Sequence, residues 1–135
     1  MTDSTMIRDL MPRTPFIRLL GLTFDEWEPD RIVARVPFDE KLTNDGKVYH
    51  GGVIASLIDT AGAAAAWSGH DMTKGMKAAT VGMSVEYLGA TKEQDLVATA
   101  KAIKRGKELI FTEIDVADAE GKPVAKAILT YRIVA

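Results

Sequence analysis

The chain has 135 residues, 47% of them hydrophobic, enough for one globular domain with a real core and too few for a second of ordinary size. A formal net charge of -2 with no cluster of Lys and Arg argues against nucleic acid or an anionic membrane surface as a partner. Cysteine is absent, which excludes disulfides, thiolate metal sites and a cysteine nucleophile.

The opening run MTDSTMIRDLMPRTPF carries acids at Asp3 and Asp9 and no uninterrupted apolar stretch, so it does not read as a signal peptide and a cytoplasmic protein is expected. Residues 6–20 predict a short amphipathic helix with Ile7, Leu10 and Met11 on one face, its length limited by Pro12 and Pro15. Two extended segments follow, LGLTFDEWE and RIVARVPF, joined by a turn at Pro29 and Asp30. The second alternates, with Ile32, Ala34 and Val36 on one side and Arg31, Val33 and Arg35 on the other.

A polar loop, DEKLTNDGKVY, leads into HGGVIASLIDTAGAAAAW, a helix that is apolar nearly all round. Ser56, Asp59 and Thr60 interrupt it well short of the ~20 residues a bilayer span needs, so protein must bury it. After a loop over residues 69–77 come four β-like segments, TVGMSVEYL, LVATAKAIK, LIFTEIDVA and PVAKAILTYRIV, separated by turn residues.

Segments so close in sequence are expected to pair with their neighbours, giving an α+β fold with an antiparallel sheet of about five to six strands and one long helix. A helix with almost no polar face needs the sheet curled around it and a second subunit over any face left open, so a homodimer is expected.

A carboxylate in such a helix is costly to ionise unless it is hydrogen-bonded, and a lone polar residue there is more often structural than catalytic. His50-Gly51-Gly52 at the helix entry alters that balance, because paired glycines let a ligand approach the bare N–H groups of a helix N-terminus. Such donors suit a carbonyl developing negative charge, although two glycines can also serve only a tight turn. Asp59 follows Gly51 by eight residues, roughly 12 Å along a helix axis, so one carbonyl cannot touch both on the same chain. Two such helices, antiparallel across a two-fold axis, would bring Gly51 of one to Asp59 of the other and create two composite sites.

The run N-D-G-x-x-x-H-G-G over residues 44–52, Asp59 within SLIDTAG, and the blocks TVGMSVEYL, KRGKELIF and GKPVAKAILTY carry a resemblance over nearly the whole chain. They resemble the hot-dog-fold acyl-CoA thioesterases of the phenylacetic-acid-degradation type, in which an antiparallel sheet wraps one central helix. The resemblance implies that Asp59 is general base or nucleophile and that the Gly51 amide polarises the thioester carbonyl, with Gly52 shaping the turn. Asn44 and His50 would orient the carbonyl, the water or the loop, and Thr80, at the start of its strand, would hold the attacking water. Coenzyme A, entering only as part of the substrate, would lie along Tyr87, Leu88, Gly89 and Lys92 and along Lys104, Arg105, Gly106 and Lys107, the basic side chains pairing with its phosphates.

The implied reaction is hydrolysis of an aromatic or medium-to-long-chain acyl-CoA by a homodimer, paired in turn into a tetramer, with residues 1–20 as a candidate lid. No metal or redox cofactor is expected, since His50 and His70 lack a ligand constellation. On residue type alone, His50 is equally a helix cap, Asn44 an ordinary loop residue, Thr80 a plain strand residue and the basic cluster a solvated hairpin tip. The chain departs from the family's pattern at Ala90, where a proline is common, and near Gln94, where a glycine is, in the loop that shapes the coenzyme A groove. Two rival readings are a non-catalytic acyl-CoA binding module and an acyl dehydratase, the latter needing a histidine base in a different motif.

Overall fold

The computed structural model describes residues 4–135; the start of the N-terminal segment, with Asp3, lies outside the described residues. The two prolines break that segment into α1 (Thr5–Leu10), a 3-10 turn (Met11–Arg13) and α2 (Pro15–Leu20). Gly21, at φ 69°, closes α2 in the left-handed conformation. Ile7, Met11 and Ile17 pack against the core, while Leu10, Phe16 and Leu19 stay exposed.

The remaining elements are β1 (Thr23–Glu28), β2 (Arg31–Val36), α3 (Gly51–Ser68), β3 (Lys77–Tyr87), β4 (Leu96–Arg105), β5 (Leu109–Asp118) and β6 (Pro123–Val134). They form one antiparallel six-stranded sheet in the order β1-β2-β4-β5-β6-β3. The expected pairing of sequence neighbours therefore holds only in part: β3 pairs with β6, and β2 with β4. Tight connections force neighbours together at residues 29–30, 106–108 and 119–122, whereas residues 88–95 are long enough to carry the chain from the β3 edge back to β4.

The expected inner face of β2, Ile32, Ala34 and Val36, is fully buried, and Val33 on the other face is buried as well. Leu96, Ala98 and Ala100 of β4, Ile114 of β5 and Leu129 of β6 are buried as completely, and against them lie Leu57, Ile58, Ala61, Ala64 and Ala65 of α3. The alanines on helix and sheet let the two approach closely. At Gly62 a β-carbon would stand 2.9 Å from Thr112 Oγ1 and 3.0 Å from Leu129 Cδ1, so the contact there tolerates no side chain.

The two edges of the sheet differ. On the β1 side, α1 packs against α3 and β1. On the other side β3 is exposed almost from end to end, with Val81, Met83 and Tyr87 open to solvent. The stripe of α3 formed by Gly52, Ala55, Ser56 and Asp59, spaced three and four apart, likewise keeps solvent access.

Candidate active site

His50 stands at the N-cap of α3, its Nδ1 accepting the Gly52 N–H at 2.8 Å. A neutral ring in this role carries its proton on Nε2. Gly52 is glycine for this reason: a β-carbon would lie 2.9 Å from the same Nδ1. Val53 N–H donates to His50 O at 3.0 Å, whereas Gly51 N–H makes no hydrogen bond among the described residues. An orphan donor at the positive end of an 18-residue helix is well placed for an oxyanion.

Tyr87, at the end of β3, donates its hydroxyl to Gly51 O at 3.3 Å and lays its ring against the same glycine. The preceding loop is tied down locally. Asn44 N–H donates to Val48 O at 2.9 Å, and Asp45 Oδ1 accepts from Lys47 N–H and Val48 N–H, both at 2.9 Å. Those backbone donors, Val48 first, hold the Asp45 carboxyl below the usual carboxylate range. The loop thus delivers Asn44 and His50 to the helix entry, Asn44 through its backbone.

Asp59 lies two turns further along α3. Thr80 Oγ1 donates to its Oδ1 at 2.7 Å, and Oδ2 makes no hydrogen bond or ion pair among the described residues. Thr80 is not at the start of its strand as expected, since β3 already begins at Lys77. It falls instead at the irregularity between Thr80 and Gly82, where the bulge turns its side chain inward to the helix. Tyr131 of β6 pairs with Thr80 in the ladder, and its hydroxyl accepts from Trp67 Nε1 at 3.0 Å.

The two groups of residues expected to hold coenzyme A occupy opposite ends of the sheet. Tyr87, Leu88, Gly89 and Lys92 lie at the helix-entry end, where Lys92 bridges to Val48 and the Leu88 and Gly89 N–H groups donate to Val124 O. Lys104, Arg105, Gly106 and Lys107 lie at the tip of the β4–β5 hairpin, the ten-residue length of β4 away, roughly 30 Å. Lys92, Lys104 and Lys107 are exposed and make no ion pair among the described residues.

Arg105 is already engaged. Its Nε donates to Asp30 Oδ1 at 2.7 Å and its NH2 to Ala66 O at 2.7 Å and Ala65 O at 3.3 Å, capping the C-terminal carbonyls of α3. Gly69 has no room for a β-carbon beside Asp30 and Arg105. This clamp joins three distant segments and carries no local sequence signal. Beside it opens a cavity of about 640 Å³ lined by His70, Asp71, Lys74, Arg105, Lys107 and Glu108 among others. Among the described residues no three His, Asp or Glu side chains gather as metal ligands, and no helix is long and apolar enough to cross a membrane.

Comparison with known proteins agrees with this arrangement. The model of the Thioesterase superfamily matches residues 46–125. A putative esterase of Halobacterium salinarum is 30% identical over 139 residues, covering 96% of this chain and 91% of that protein. Acyl-coenzyme A thioesterase 13 of Homo sapiens is 30% identical over 124 residues, covering 90% of this chain and 86% of that protein. The PaaI protein of the Escherichia coli phenylacetic acid degradation operon superposes with a TM-score of 0.85 at 22% identity, over 98% of this chain and 94% of that one. The α+β hot-dog arrangement expected from the sequence, a sheet wrapped on one long helix, is the one observed.

Proposed function

Since the chain belongs to the thioesterase superfamily and is a thioester hydrolase, we propose that it hydrolyses acyl-CoA to the free acid and coenzyme A at two composite sites in a homodimer. The observation that carries this reading is the separation of two unsatisfied halves on one helix: Asp59, whose Oδ2 has no hydrogen-bond partner among the described residues, and the unpaired Gly51 N–H.

The missing half comes from a second copy. β3 offers a free edge eleven residues long, and Thr80, Met83 and Tyr87 on or beside its helix-facing side stay uncovered. Antiparallel pairing of β3 with the same strand of a partner would extend the sheet across a two-fold axis and set the two α3 helices antiparallel. The hairpin end of one protomer then shares a side with the helix-entry end of the other. Lys104 and Lys107 of one chain and Lys92 of the partner can thereby act on one coenzyme A, with the cavity beside Arg105 as the receptacle for its phosphorylated end.

In the reaction, Asp59 Oδ2 takes a proton from water as the hydroxyl attacks the thioester carbon. The carbonyl oxygen, becoming an oxyanion, is held by Gly51 N–H across the interface. Collapse breaks the carbon–sulfur bond, and the leaving thiolate takes the proton from Asp59. Thr80 keeps the carboxylate aimed, and His50 and Asn44 hold the helix entry in shape. Of the N-terminal segment, α1 packs against α3 and β1 and serves as an outer wall beside the helix.

Thiol release from a panel of aromatic and straight-chain acyl-CoAs, with wild type beside Asp59→Asn, tests this. Turnover on at least one member that falls roughly a thousandfold in the variant is expected. Equal turnover in both proteins, or acyl-CoA binding without turnover on any member, would overturn it in favour of a binding module.

A further inference from the structure

Four residues close a ring between α3 and the β6–β3 side of the sheet. Asp59 and Trp67 belong to the helix, eight residues apart. Thr80 of β3 reaches Asp59 at 2.7 Å, Tyr131 of β6 accepts from Trp67 Nε1 at 3.0 Å, and Thr80 and Tyr131 are partners in the ladder between their strands. Direct partners on one face of an antiparallel pair hold their β-carbons roughly 5 Å apart. Both side chains reach the helix, so both lie on the inner face.

Side chains on a helix lean back toward its N-terminus, which favours bringing the indole N–H, and the phenol it holds, toward the level of Asp59. Between Asp59 and Trp67 on the same face of the helix lies Ala63, whose side chain is a single methyl. Tyr131 is buried, 8% exposed, with its ring edge-on to Trp67 at 6.3 Å. The indole N–H occupies an acceptor position on the phenol oxygen. The hydroxyl's own proton has no acceptor among the described residues, and a buried donor left so is costly.

We propose, resting on the thioesterase reading above, that Tyr131 is a further catalytic residue: its hydroxyl, held by Trp67, donates to the water that Asp59 deprotonates. The water then sits between two fixed groups, Tyr131 on β6 and Asp59 on α3, giving its proton to Asp59 Oδ2 and a lone pair to the thioester carbon. Tyr131 keeps its proton throughout, so the balance of the reaction is unchanged. The charge environment agrees. Burial raises the Tyr131 phenol above its ordinary range, the Trp67 hydrogen bond acts in the opposite sense, and the Asp59 carboxylate adds to the rise.

Tyr131→Phe keeps the ring and removes only the hydroxyl. Its kcat on the best acyl-CoA is expected to fall roughly 10- to 100-fold while KM stays within about twofold. Trp67→Phe, which leaves the phenol unlocked, is expected to show a smaller loss in kcat. A second readout needs no turnover: in an ultraviolet titration, with Tyr131→Phe as the blank, Tyr131 is expected to ionise at lower pH in Asp59→Asn than in wild type. Wild-type turnover with an unaffected kcat in Tyr131→Phe, or a Tyr131 titration indifferent to Asp59→Asn, would overturn this proposal alone. Wild-type protein that releases no thiol from any acyl-CoA would overturn the thioesterase reading beneath it. Should Tyr131→Phe fail to fold, the Trp67→Phe kinetics decide: a kcat lowered at unchanged KM supports the proposal, and a kcat equal to wild type overturns it.

Discussion

Thr80 on β3 donates its hydroxyl to Oδ1 of Asp59 on α3 at 2.7 Å, tying the acid of the central helix to a strand whose outer edge is free. The bond satisfies one carboxylate oxygen and leaves the other without a partner among the described residues.

Removing that donor is expected to loosen the carboxylate without disturbing the core, because Thr80 is exposed in the protomer. Thr80→Ala should lower kcat by roughly 10- to 100-fold, the worth of one hydrogen bond to a charged group. Thr80→Ser, which keeps the hydroxyl, should stay near wild type; steady-state kinetics on one acyl-CoA separates the two.

The helix cap makes a stability prediction. His50→Ala removes the acceptor for Gly52 N–H and should cost about 1 kcal/mol in denaturant unfolding. His50→Asn supplies a side-chain oxygen at the same position and should recover most of that loss. Recovery of stability without recovery of kcat would assign the imidazole a part in the chemistry beyond the cap.

Tyr49 predicts an alkaline limb. Its hydroxyl is buried, has no hydrogen-bond partner among the described residues, and titrates at about 12 through burial, with Asp95 and Asp39 adding to the shift. The folded state thus holds this proton more tightly than the unfolded chain does, whose tyrosine titrates near the ordinary 10.0. Its contribution is complete below pH 10.0 and is lost as pH rises through about 12. Tyr49→Phe should be neutral or up to about 1 kcal/mol stabilising at pH 7 and should unfold less readily above pH 10, as unfolding curves across that range will show.

Two neighbouring cations should behave differently. Arg105, 27% exposed and bonded to Asp30, Ala65 and Ala66, holds the end of α3, so Arg105→Ala should cost about 1–2 kcal/mol of stability after allowance for solvent. Lys107 is exposed and unpaired among the described residues, so Lys107→Ala should leave thermal stability unchanged and raise KM for acyl-CoA. Melting curves and KM values for both variants check the contrast.

Local pattern made the strands and helices legible, since period-two burial in Ile32, Ala34 and Val36 and the unbroken apolar run of α3 are properties of short windows. Strand order was not, because nothing within TVGMSVEYL says that it pairs with β6, far ahead in the chain, rather than with the next strand. The bulge that aims Thr80 depends on that pairing and was equally invisible. Arg105 shows the same limit from the other side. At a hairpin tip it resembles a free phosphate ligand, yet its guanidinium meets Asp30, 75 residues away, and the carbonyls closing α3. Asp59 and Gly51 stand out as candidates in the sequence because their spacing on one helix is itself a physical constraint.

In the proposed dimer Asp59 of one subunit works with Gly51 of the other, and complementation between two inactive variants tests this pairing. Asp59→Asn removes the base, and Gly51→Pro removes the oxyanion N–H at the first helical position, where proline fits the helix and the extended His50 before it. Each variant alone should be inactive. Unfolded and refolded together in equal amounts, they should recover about a quarter of wild-type thiol release, since half the dimers are mixed and each mixed dimer rebuilds one of its two sites. A mixture as inactive as its components, with mixed dimers shown to have formed, would place both groups in the same chain's site and contradict the account.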